Sequence, residues 1–128
     1  MGFFNMEAGM CAQPVVLVVE DEPILRLSVE SELTARGWPV AAAATGEDAL
    51  ALTKERDIGV VFTDIQIGGK MGGWEVAEAL RKLRPGIPVL YASGTAHDHS
   101  QAVEGGVFFA KPYDLDQVIA TAARLCGV

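Results

Sequence analysis

Val60-Val61-Phe62-Thr63-Asp64-Ile65-Gln66-Ile67 decides the fold. Val and Phe favour strands, and a short unbroken apolar run suits a strand buried on both faces. Gly68, Gly69, Gly72 and Gly73 follow at once, so the strand ends near Asp64. A carboxylate is thereby predicted at the carboxyl end of a central strand, the edge where open parallel α/β sheets gather ligands and chemistry.

Working outward, Val15 to Val19 is a second strand of the same kind, ending in Glu20-Asp21-Glu22. Pro23 and the acids suit a helix start. Ile24, Leu25, Leu27, Val29 and Leu33 supply its apolar face as far as Arg36-Gly37. Trp38 to Ala44 is a weaker strand, and Thr45 caps a helix ending near Arg56. Beyond the glycine loop, Trp74 to Leu83 is a helix with Val76, Ala77, Leu80 and Leu83 inward, stopped by Pro85-Gly86. Ile87 to Ala92 is another buried strand. The segment from Ser93 to Gly106 is polar, with too few apolar residues for an amphipathic helix, so at most two helical turns are expected there. Val107 to Ala110 is a short strand running into Lys111-Pro112. Asp114 caps a last helix with Leu115, Val118, Ile119, Ala122 and Leu125 inward.

Five alternations of strand and helix predict right-handed crossovers, a five-stranded parallel sheet and helices on both faces: one doubly wound α/β domain. The chain has 128 residues, half of them hydrophobic, enough for one core. Residues 1–13 read as a flexible tail and 14–128 as the domain. A net charge of −7 argues against a nucleic-acid partner. There is no span-length apolar run and no signal peptide, so a cytoplasmic protein is expected. Cys11 and Cys126, near opposite termini, read as free thiols rather than a disulfide.

Every strand except the second ends in a reactive side chain: Glu20 and Asp21, Asp64, Ser93, Lys111. A parallel sheet puts these ends on one edge. Three clustered carboxylates repel unless a cation sits among them, and oxygen ligands of this charge suit Mg²⁺. A lysine and a hydroxyl opposite them supply donors for a phosphoryl group. Each element alone has a bland reading: a helix start, a turn former, a cap, a surface lysine. Their coincidence at one edge outweighs those readings. His97-Asp98-His99 reads as a solvated loop rather than a metal pair.

Glu20-Asp21, Asp64, Ser93 and Lys111-Pro112, each at a strand end in that order, resemble the receiver domain of bacterial two-component response regulators, of the stand-alone chemotaxis-regulator kind. The resemblance covers roughly Val15 to Val128. It implies a flavodoxin-like sheet of order 2-1-3-4-5, here with a shortened fourth helix. It implies that Asp64 accepts a phosphoryl group from a histidine kinase or phosphotransfer protein, with Mg²⁺ as cofactor. Asp21 and Asp64 would bind the metal directly, Gln66 through its backbone carbonyl, and Glu20 through water. Lys111 and Ser93 would contact the phosphoryl group, and Ser93 and Phe108 would form the switch. Gln66 and Thr95 would tune dephosphorylation. The downstream target is an unknown protein, and a monomer or weak homodimer is expected. No catalysis is implied beyond the domain's own phosphorylation and dephosphorylation.

The chain departs from the family pattern in three places. Ile67-Gly68 stands where Met-Pro is usual. The glycine loop is one residue longer, with Gly73 as counterpart of the usual glycine. The Ser93–Lys111 interval is about a helical turn short. A chain that stops after the last helix would have no output domain, although a receiver cut from a hybrid kinase or longer regulator would look the same. A small phosphoaspartate phosphatase would need an aspartate where Gln66 stands. A flavin binder would need a Ser/Thr/Gly-rich phosphate loop where Glu20-Asp21-Glu22 stands.

Overall fold

The computed structural model describes residues 13–94 and 99–128. All of the expected tail but Gln13, Cys11 included, and Thr95, His97 and Asp98 fall outside those residues. The elements follow in the expected order: β1 (Val15–Val19), α1 (Pro23–Ala35), β2 (Val40–Ala43), α2 (Gly46–Glu55), β3 (Ile58–Asp64), α3 (Gly73–Leu83), β4 (Val89–Ser93), β5 (Val107–Ala110) and α4 (Leu115–Cys126). The five strands form one sheet in the order β2-β1-β3-β4-β5, and every pairing is parallel. This is the flavodoxin-like 2-1-3-4-5 arrangement.

Alternation along each strand divides the core in two. Leu17, Val19, Val61, Val89 and Tyr91 pack with Ala49 of α2 and with Val76, Ala77 and Leu80 of α3. Val16, Val18, Val60, Phe62, Leu90 and Ala92 pack on the other face with Val29 and Leu33 of α1 and with Val118 and Ala122 of α4. Unbroken apolar runs are required because both faces of β1, β3 and β4 are covered.

Side chains cap the helix starts. The Glu22 carboxylate accepts from the Leu25 amide at 2.8 Å, Thr45 Oγ1 from Asp48 at 3.1 Å, and the Asp114 carboxylate from Asp116 at 2.9 Å. At α3 the roles reverse, and Glu75 accepts from the Gly72 amide at 2.9 Å. Gly127 closes α4 in the left-handed conformation at φ 75°.

Four leucine and isoleucine positions differ from the inward faces expected of them. Ile24 is 78 % exposed, Leu27 63 %, Leu83 44 % and Leu125 36 %. Helical spacing groups residues into a stripe, but it does not say which members of the stripe meet the sheet. Ile24 and Leu27 stand off the Val29–Leu33 line in the first turns of α1, and Leu83 and Leu125 occupy the last turns of α3 and α4. Trp38 is buried, as packing at an element start would require.

Between β4 and β5, the described residues contain a single 3₁₀ turn, His99–Gln101, and no α-helix. The shortened fourth crossover is thus borne out. Ala102 and Val103 still pack against the core, and the buried Tyr91 hydroxyl accepts from the Val103 amide at 3.1 Å.

Candidate functional site

The sheet register sets the site. Val19 pairs with Thr63, Asp64 with Ala92, and Ser93 with Ala110, so four strands end at one level. Ladder hydrogen bonds continue one residue past the strands. Glu20 donates to the Ala43 carbonyl at 3.0 Å, Ile65 to Ala92 at 3.0 Å and Lys111 to Ser93 at 2.8 Å. The backbone thereby fixes Glu20, Asp64, Ser93 and Lys111 before any side chain interacts.

Glu20, Asp64 and Ser93 are buried, and Asp21 is exposed. One carboxylate oxygen each from Glu20, Asp21 and Asp64 lie within 4.8 Å of one another. Lys111 Nζ sits against them, 2.5 Å from Asp64 Oδ2 and 3.5 Å from Glu20 Oε1. Asp21 is held from the glycine loop, where the Gly68 amide donates to its Oδ2 at 2.9 Å. The Gln66 amide donates to Asp64 Oδ1 at 3.1 Å, and the Gln66 side chain is exposed. Arg26 of α1 donates to the Glu20 carbonyl at 2.9 Å, and the Glu22 amide to Glu20 Oε2 at 3.0 Å.

Burial pushes the Glu20 carboxyl up; the Glu22 amide opposes this, and the Asp64 charge adds to it. Burial works against the charge on Lys111, but its hydrogen bond and charge pairing with Asp64, aided by Glu20, outweigh burial and hold the ammonium above its usual range. The site is therefore an acid-rich pocket with one cation already paired. Three hard oxygen donors in this space fit a small divalent cation such as Mg²⁺, which needs few protein ligands.

Gly73 explains why a glycine ends the loop. A Cβ there would lie 2.3 Å from the Asp64 carbonyl oxygen and 2.6 Å from Ile65 Cα. Its amide donates to the Ile65 carbonyl at 2.8 Å, so the start of α3 is clamped onto the end of β3. The longer loop thus keeps a glycine in contact with the Asp64 backbone.

Phe108 lies three residues before Lys111, on β5. It pairs in register with Tyr91 and stacks on it, with ring centroids 4.8 Å apart and planes at 19°. Trp74 of α3 lies 5.8 Å from it, and the His99 ring is parallel at 3.5 Å. These partners were missed in the sequence, although β-alternation puts Tyr91 and Phe108 on one face. Tyr113 was also missed. It packs edge-on against Phe62 at 5.2 Å and closes the pocket beside Glu20 and Asp64; burial and then those two charges push its hydroxyl up to about 12. The signal was an aromatic directly after Lys111-Pro112, whose peptide bond is cis.

Residues 16–123 match the family model of the response regulator receiver domain. A response regulator receiver protein from Sinorhizobium medicae superposes with a TM-score of 0.84 at 33 % identity, covering 91 % of this chain and 96 % of that one. The response regulator protein TrrA from Thermotoga maritima, solved in complex with Mg²⁺–BeF, gives 0.76 at 26 % identity, covering 88 % and 98 %. Among curated relatives, the transcriptional regulatory protein TcrA of Mycobacterium tuberculosis is 35 % identical over 114 residues, 86 % of this chain and 45 % of that protein. The chain spans less than half the length of such relatives. With the acidic cluster, the paired lysine and the strand order all in place, the chain belongs to the response regulator receiver domains of two-component signalling.

Proposed function

We propose that Asp64 is the phosphoacceptor of this receiver and takes a phosphoryl group from the phosphohistidine of a histidine kinase or phosphotransfer protein. One observation carries the reading: a buried aspartate ends the central strand inside a carboxylate cluster, with a lysine paired to it. An Asp64 carboxylate oxygen attacks phosphorus, the P–N bond to the donor imidazole breaks, and the departing ring takes its electrons and a proton. Lys111 releases Asp64 and pairs with a phosphoryl oxygen, and the Ser93 hydroxyl donates to another. Asp21, Asp64 and the Gln66 carbonyl would hold Mg²⁺ directly, with Glu20 acting through water. When bound, the cation supplies charge neutralisation as phosphate meets three carboxylates. The TrrA complex with Mg²⁺–BeF supports this assignment by likeness. Gln66 and Thr95 set the lifetime of the phosphoryl group, and Phe108 reports it to the surface.

The exposed Ile24 and Leu27 on α1, near the apolar groove of Leu25, Pro112 and Tyr113, offer the donor an apolar landing beside Asp64. The net charge of −7 favours a protein partner over nucleic acid for this chain, which acts as a monomer or weak homodimer. Its output is carried by another protein, or by further segments if the natural chain is longer.

Incubation with acetyl phosphate and Mg²⁺ should add one phosphoryl mass, and excess chelator or Asp64→Asn should abolish it. A variant lacking Asp64 that still gains the mass refutes the assignment, and labelling that survives chelation refutes the metal's role.

A further inference from the structure

Each carboxylate of the acidic cluster has one oxygen held by a backbone amide. The Glu22 amide holds Glu20 Oε2 at 3.0 Å, and the Gln66 amide holds Asp64 Oδ1 at 3.1 Å, each from two residues along the chain. Asp21 is held differently. Its Oδ2 accepts from the Gly68 amide at 2.9 Å, across 47 positions in sequence. Burial and Lys111 also fix Glu20 and Asp64, whereas Asp21 is exposed and has no ion pair among the described residues. The Gly68 bond is the one hydrogen bond on the Asp21 carboxylate among those residues, and it leaves Oδ1 open. Gly68 stands where proline is usual in the family pattern, and proline has no N–H to give. Gly68 is not one of the left-handed glycines of the chain, and a Cβ added to it would meet only Asp21 Oδ2, at 3.4 Å. The residue matters here for its N–H and not for its lack of a side chain.

We propose that the Gly68 N–H is a specificity-determining group for the cation of this site: by occupying Oδ2 it limits Asp21 to one ligating oxygen, Oδ1, and so favours Mg²⁺ over Ca²⁺. The inference rests on the metal site of the proposed function and adds its selectivity. The small Mg²⁺ ion keeps a strict octahedron of about six oxygens, while Ca²⁺ takes roughly six to eight and accepts both oxygens of one carboxylate. An Asp21 free to turn would offer that pair to the larger ion. Pinned by Gly68, it cannot do so without losing a charge-assisted hydrogen bond. The same bond orders an exposed side chain before any ion arrives, so its rotamer entropy is not lost on binding. Gly68 is thus a positioning residue that acts through Asp21.

The test titrates the metal-free protein with Mg²⁺ and, separately, with Ca²⁺, and follows backbone amide shifts by NMR. Gly68→Pro removes the donor, and Gly68→Ala, which keeps it, is the control. Gly68→Pro should lose about tenfold in Mg²⁺ affinity and less than about twofold in Ca²⁺ affinity, so the preference for Mg²⁺ falls about fivefold or more. Gly68→Ala should keep the parent's preference. A second measurement needs no variant. In the parent, the Gly68 amide should exchange about tenfold more slowly than the Gly69 amide, which donates to no described residue, and should stay protected at saturating Mg²⁺. An unchanged preference in Gly68→Pro, or Gly68 protection that is lost on adding Mg²⁺, would overturn the inference and leave the metal site standing. A parent that binds no Mg²⁺ would overturn the site as well.

Discussion

Replacing Gly73 by alanine tests whether α3 is clamped directly onto the strand that carries Asp64. The added Cβ would stand 2.3 Å from the Asp64 carbonyl oxygen and 2.6 Å from Ile65 Cα. Both neighbours are backbone, so no rotamer change relieves the clash. Overpacking of this kind costs about 1–3 kcal/mol. Pushing α3 away also weakens the 2.8 Å bond from the Gly73 amide to the Ile65 carbonyl, a further loss of about 1 kcal/mol. Alanine recovers up to about 1 kcal/mol of helix propensity, less at a first helical position. The expected net destabilisation is about 1–3 kcal/mol. With an m-value near ~1.5 kcal/mol/M, the urea midpoint falls by about 1–2 M. Gly94→Ala is the control: no heavy atom lies within 4 Å of its added Cβ among the described residues, and a change within about 0.5 kcal/mol is expected. Phosphorylation by acetyl phosphate, measured where both proteins are folded, should slow about tenfold or more, since the clash displaces the nucleophile's own backbone. A Gly73→Ala protein with an unchanged midpoint and full labelling rate would refute the clamp.

Stabilisation by Mg²⁺ should depend on pH through Glu20. Its folded-state affinity for a proton is raised, so its contribution to stability is present below the unfolded value of 4.5 and lost as pH rises through the folded value. Metal-free protein therefore carries an unfavourable ionised Glu20 at neutral pH, which a cation relieves. The rise in Tm on adding MgCl₂ should be largest near pH 8 and shrink toward about pH 5; an equal rise at both would contradict this role. Tyr91→Phe removes the acceptor of the Val103 amide and should cost about 1 kcal/mol, or about 4 °C in Tm, with faster hydrogen exchange at Val103. Unchanged exchange there would show that the bond does not hold the crossover. Lys111→Ala should keep some labelling but reduce the amide shift changes that beryllofluoride induces around Phe108. Identical shift changes in parent and variant would argue against a link through Lys111.

The features legible in the sequence were those set by local chemistry and by alternation. Strands covered on both faces must be apolar throughout, which made β1, β3 and β4 plain, and a charged residue after such a run has nowhere to lie but the strand's end. Thr45 and Asp114 were legible because a cap acts within three residues. Helix faces were harder to read. Ile24 and Leu125 have apolar chemistry and nearly the right spacing but are exposed, because burial depends on what packs against each turn, which spacing does not encode. Phe108 was correctly placed on β5, while its stack with His99 depends on a crossover of low periodicity. Pro14 and Cys126 both lie against Gly59, and only the completed sheet brings together the residue before β1 and the last residue of α4.

The resting arrangement itself suggests how acceptance of phosphate becomes a signal. Lys111 is the one cation paired into the site among the described residues, facing Glu20, Asp21 and Asp64, so the cluster is short of positive charge. A bound divalent ion would bring it near neutrality, and a phosphoryl group would return it to excess negative charge. On the proposed reading, Lys111 cannot serve Asp64 Oδ2 and the phosphoryl oxygens alike, so its pairing must change. The Lys111 amide is tied to the Ser93 carbonyl at 2.8 Å, which couples any shift of this residue to the end of β4. Three residues back along β5, Phe108 lies between Tyr91 and His99, and Tyr91 in turn holds Val103. On that reading, a change at the lysine would reach the fourth crossover through two adjacent strands and one aromatic stack. In this chain that crossover has a single 3₁₀ turn among its described residues. On the same proposed reading, this crossover is the element that a change in charge pairing at Asp64 would move.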